Sequence, residues 1–68
     1  MSDHAHVVIG SLKTGVQNDY EFCLRPDWRD VANKEYNGNE YEYVLDRCRA
    51  WYGISFTTED VLSTRVAN

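Results

Sequence analysis

Sixty-eight residues with a formal net charge of −4 leave room for one small domain and exclude large enzyme folds of the TIM-barrel or dinucleotide-binding kind. A chain of this length buries only about 60% of the surface its unfolded form exposes, so modest stability is expected. Hydrophobic residues at 43% and charged residues at 26% are the proportions of an ordinary globular protein, and no apolar run exceeds the three residues of Val7-Val8-Ile9, far too short to span a membrane.

The whole chain, 1–68, reads as one α+β domain whose first residues, 1–4, are expected to be flexible. The N-terminal third predicts a β-hairpin. His6-Val7-Val8-Ile9 is β-branched and apolar, Thr14-Gly15 and Gln17-Asn18-Asp19 form turns, and Tyr20-Glu21-Phe22-Cys23-Leu24 alternates. The period of two puts Tyr20, Phe22 and Leu24 on one face and Glu21 and Cys23 on the other.

Arg25-Pro26-Asp27 then ends the strand and opens a short helix. Asp27 is placed to cap it, Trp28, Val31, Ala32 and Tyr36 follow helical spacing, and Asp30 and Lys34 stand four apart as an ion pair. After the Asn37-Gly38 break comes the dominant helix. Asn39 caps it, Glu42 completes an approximate capping box, and Tyr41, Val44, Leu45, Cys48, Trp51 and Tyr52 form its apolar stripe, with Gly53 as the stop. This stripe is expected to pack across the hairpin, burying Leu45 and Trp51. Ile54 to Thr57 reads as a short strand or an extended link. Thr57 or Thr58 can cap a last helical turn carrying Val61, Leu62 and Val66; that short helix is favoured over a strand from Val61 to Val66.

Few residues point to chemistry. His4 and His6 lie on one side of an extended segment and, with Cys23 and Cys48, make up a Cys2His2 complement, but the spacing fits no zinc motif. Cys48 stands between Arg47 and Arg49, yet helical geometry turns it to the core while the arginines flank it. Both cysteines are read as buried, reduced thiols. The opening Met-Ser-Asp-His has neither the basic start nor the apolar stretch of a secretion signal, so a reducing cytoplasm is the expected compartment. The carboxylate pairs Asp27/Asp30, Glu40/Glu42 and Glu59/Asp60 stand at helix starts, where free backbone N–H groups favour negative charge. No catalytic residue, cofactor or metal is therefore assigned.

Charge and aromatics carry what functional signal there is. From Asn18 to Asp46 eight acids face three bases, a local charge of −5, which argues against direct nucleic-acid binding. Nine of the 68 residues are aromatic. Trp28, Trp51, Phe22 and Phe56 suffice for so small a core, whereas Glu35, Tyr36, Glu40, Tyr41, Glu42 and Tyr43 crowd one acidic, tyrosine-rich stretch, with Tyr43 expected at the surface. Tyrosine is enriched at protein interfaces, where its ring is buried and its hydroxyl stays polar. The stretch is therefore the candidate binding surface of a small non-catalytic regulator. Its protein partner would carry a basic patch, such as the site of a nucleic-acid-handling protein. The alternatives are a structural subunit or homodimer, and a small metal or redox protein.

Overall fold

Three strands and two helices make up the fold, in the order β1 (His4–Gly10), β2 (Gln17–Cys23), α1 (Trp28–Glu35), α2 (Glu40–Tyr52) and β3 (Val61–Ala67), with a single 3-10 turn at Thr58–Asp60 before β3. The computed structural model describes residues 3–11 and 14–67. Met1 and Ser2 of the segment expected to be flexible, and Leu12-Lys13 of the hairpin turn, lie outside the described residues.

β1 is the central strand of an antiparallel sheet ordered β2-β1-β3. The expected hairpin pairs His4 with Cys23 and His6 with Glu21. On the other side, His6 faces Arg65 and Val7 faces Thr64. The C-terminal segment is thus a strand, not the helical turn favoured by its capping residues. The Thr57 N–H does bond Asp60 Oδ2 at 3.1 Å, but this cap serves only the three-residue turn. Beyond it the β-branched run finds β1, whose ladder bonds outweigh a helix too short to be stable alone. Ile54 to Thr57 is an extended link.

Both helices cover one face of the sheet. Ala5 and Val7 of β1, Phe22 and Leu24, Trp28 and Ala32 of α1, and Tyr43, Val44, Leu45 and Cys48 of α2 are buried together. Gly53 ends α2 at φ +64, a left-handed conformation that favours glycine, as expected of a C-terminal stop. At the other end the Asn39 side chain accepts the Glu42 N–H at 3.2 Å. The Asp27 carboxylate makes no cap; it pairs with Arg25 at 3.1 Å, and its backbone carbonyl accepts the Val31 N–H. Asp30 and Lys34 are absent from the ion pairs among the described residues, which go instead to neighbours such as Arg29 with Glu40.

Asp3 and His4 are held in place. His4 begins β1, the Asp3 carbonyl accepts the Leu24 N–H at 2.8 Å, and its carboxylate accepts the Trp28 indole N–H at 2.7 Å. The Arg29 guanidinium lies 4.5 Å above the Trp28 ring, so Asp3 and the first turn of α1 meet at one indole.

Candidate protein-binding surface

The acidic stretch wraps around the α1–α2 turn. Glu35, the last residue of α1, is exposed. Glu40 opens α2, also exposed, with its carboxylate 3.6 Å from the Arg29 Nε. Tyr41 follows at the surface, and Glu42, in the first turn of α2, is partly buried.

The tyrosines of the stretch divide. Tyr36 is half-buried and donates its hydroxyl to Asp46 Oδ2 at 2.7 Å. That hydrogen bond, then burial, then the negative charges of Asp46 and Glu35 raise its pKa above the ordinary phenol value. Tyr43 is buried at 4% exposure, contrary to the surface position expected for it. Its ring stacks on Trp28 with centroids 6.0 Å apart and meets Tyr36 edge-on at 5.6 Å. The reason is that α2 has two covers: the sheet beneath Leu45 and Cys48, and α1 against the flank that carries Tyr43. A single stripe drawn on α2 sees only the first.

Trp51 departs in the opposite sense. Expected in the core, it is 53% exposed, with one side against Phe22 at a ring distance of 6.2 Å. Tyr52 is also exposed, packs edge-on against Tyr20 at 4.8 Å and donates its hydroxyl to the backbone carbonyl of Glu21. The sequence held a signal for this: Tyr41, Trp51 and Tyr52 widen the α2 stripe beyond what one sheet face covers.

Asp46 and Arg49 brace the opposite flank of α2. Arg49 Nη1 donates to Asp46 Oδ1 at 2.7 Å, and its Nε and Nη2 donate to the Phe56 carbonyl at 3.2 and 3.1 Å. Its guanidinium lies 4.4 Å above the Phe56 ring. Tyr36, Asp46, Arg49 and Phe56 therefore form one chain that ties α1 through α2 to the link before β3. The members are spent on each other, which is the chemistry of a brace.

The sheet separates Cys48 from the histidines and Cys23. His4, His6 and Cys23 lie on its helix-free face, where His6 Nε2 stands 3.1 Å from Glu21 Oε2. Cys48 lies beneath α2, fully buried, and burial raises its thiol pKa while Arg49 pulls the other way. Cys23 is exposed rather than buried, because its place in the alternation of β2 is with Glu21, away from the helices. Among the described residues no three His, Cys, Asp or Glu side chains gather closely enough to hold an ion. A shallow hollow of about 320 Å³ beside the β1–β2 turn is lined by Ile9, Ser11, Val16 and Phe56 among others, with Asp60 its one ionisable group among the described residues. No helix among the described residues is long and apolar enough to cross a membrane. No family model, curated protein or solved structure matches the chain.

Proposed function

We propose that this protein is a small non-catalytic regulator that binds a protein partner stoichiometrically through the outward side of α2. The observation that carries the reading is the exposure of three large aromatics on that one helix: Trp51 at 53%, Tyr41 at 41% and Tyr52 at 41%. Large rings in water are unfavourable for a monomer, and tryptophan and tyrosine are the residues that anchor protein interfaces. Glu35 and Glu40, exposed at the N-terminal end of the same surface, suit a partner with a basic rim. The acidic stretch thus keeps Glu35, Glu40, Tyr41 and Glu42 as contact residues; Tyr36 and Tyr43 support them from behind.

The test separates charge from aromatic contact. Replacing Glu40 and Glu42 together by lysine reverses the local field, and association with the captured partner should slow and lose its salt dependence. Tyr41→Ala should instead speed dissociation, by about 2 kcal/mol if the ring is an anchor. Unchanged rate constants in both, with the fold intact, would overturn this surface.

A further inference from the structure

The two outer strands of the sheet differ in how their edges are closed. Two hydrogen bonds bracket the β1–β2 ladder: Leu24 N–H to the Asp3 carbonyl at 2.8 Å, and Ser11 N–H to the Val16 carbonyl at 3.0 Å. In an antiparallel pair such bonding alternates. Ala5, Val7 and Ile9 therefore bond toward β2, whereas His4, His6 and Val8 bond toward β3. By the same alternation Glu21 points its carbonyl outward on β2, where the Tyr52 hydroxyl covers it, on a strand that also carries the exposed acids Asp19 and Glu21.

Among the described residues nothing covers β3 in this way. Arg65, Ser63 and Ala67 face the inward-bonding residues of β1, so Thr64 and Val66 hold their N–H and carbonyl groups out along the free edge. The strand Val-Leu-Ser-Thr-Arg-Val-Ala has one charge and no proline, the two usual guards of an exposed edge. Its regular part begins after Leu62, the extra residue between Val61, opposite Ile9, and Ser63, opposite Val8. At its centre, Thr64 Oγ1 is buried with no hydrogen-bond partner, the one such side-chain atom among the described residues.

We propose that β3 is a dimerisation strand, its free edge pairing antiparallel with β3 of a second copy about a two-fold axis at Thr64. The register follows from the edge. Outward-bonding residues must face each other, and the two-fold registers that set the unsatisfied Thr64 against an outward residue of the regular part are Thr64 opposite Thr64 and Thr64 opposite Val66. The second choice sets Arg65 directly against Arg65 of the other copy at the close spacing of a non-hydrogen-bonded pair, about 4.5 Å between Cα atoms, where like charges repel. The first sets Arg65 opposite Ser63 and brings the two Thr64 side chains together, where a change of rotamer lets the stranded hydroxyls bond one another. The strand is thus complementary to itself, which favours a second copy over a foreign strand. The product is a continuous six-stranded sheet with both pairs of helices on one face.

Sedimentation equilibrium of the full chain tests this over a range of concentrations. The wild type should approach twice the monomer mass as concentration rises. Ser63→Glu, placed opposite Arg65 of the other copy, should tighten the dimer roughly five- to tenfold, and Ser63→Arg should weaken it by a similar factor. Thr64→Pro removes an N–H that β1 does not use and should leave a monomer; should that variant fail to fold, the two Ser63 variants still decide, because that side chain is exposed. Trp51→Ala should leave the dimer constant unchanged, which keeps this contact separate from the α2 surface. A wild type that stays monomeric throughout, or a dimer constant that neither Ser63 variant shifts, would overturn the proposal.

Discussion

The two halves of α2 carry similar side chains and end in different surroundings. Near the N-terminus Tyr43 is closed in by Trp28 and Tyr36 of the α1 region, with Leu45 against the sheet on the next flank. Two turns on, Trp51 rests one side against Phe22 and leaves about half its surface to water. Both are aromatic and both belong to one amphipathic helix. The burial of each is decided by what packs over that turn, and α1, eight residues long, covers only the first half. The helix is thus clamped by α1 at one end and open on its Trp51 side at the other, while Cys48 and Arg49 keep the rest of that second half fixed.

The sharpest way to break this comparison is to empty the clamped half. Tyr43→Ala removes a buried ring from between Trp28 and Tyr36 and should cost about 3–5 kcal/mol. Leu45→Ala, on the sheet side, should cost about 2–5 kcal/mol. For a domain this small either loss can consume most of the folding free energy. Chemical denaturation reads both. A midpoint for Tyr43→Ala close to the wild type would return that ring to the surface and undo the two-cover account of α2.

The same contrast explains what the amino-acid sequence discloses. The hairpin is legible because Tyr20, Phe22 and Leu24 alternate against Glu21 and Cys23, a signal that is local and has only one solution. The limits of α2 are legible because Asn39 and Gly53 meet backbone demands that few other residues meet. β3 is less so: Thr57 to Asp60 do form a capped turn, and only the vacancy beside β1, a partner more than fifty residues away, turns the following residues into a strand. The positions of Tyr43 and Trp51 are least legible, since each depends on where α1 lies across α2, and no periodicity within α2 records that. Of the acidic stretch, Glu35 and Glu40 are exposed as their polar setting implies, whereas Tyr41, placed on the apolar stripe of α2, is exposed instead of packed on the hairpin. Trp51 and Tyr52 enter the surface only once the fold is known.

A smaller effect sharpens the picture of the clamp. Tyr36→Phe removes the hydroxyl that donates to Asp46 at the start of the brace through Arg49 to Phe56, and should cost about 1 kcal/mol at neutral pH. The fold raises the pKa of that phenol, so it favours the neutral form. Its contribution is therefore complete below the unfolded value of 10.0 and is lost as pH climbs through the higher folded value. Melts of wild type and Tyr36→Phe compared across that alkaline range should converge. A gap that stays constant or widens would mean that the hydroxyl is not held by the Asp46 carboxylate.

The smallest effect on stability belongs to the bare half, and it is the most informative about function. Trp51 is half in water already, so Trp51→Ala forfeits the covered half of the ring, its contact with Phe22 included, and should cost about 1–2 kcal/mol, below the loss at Tyr43. Were the ring merely an imperfectly buried core residue, its removal would lower the melting temperature and leave every other property alone. If it anchors a partner, the order of effects reverses: stability barely moves while dissociation of the complex accelerates, because an anchor's energy is realised only when the second surface closes over it. Measuring the melt and the dissociation rate on the same variant therefore separates the two. A large drop in melting temperature with unaltered dissociation would make both halves of α2 parts of one core, and the exposed rings of Tyr41 and Tyr52 would then have no function to serve.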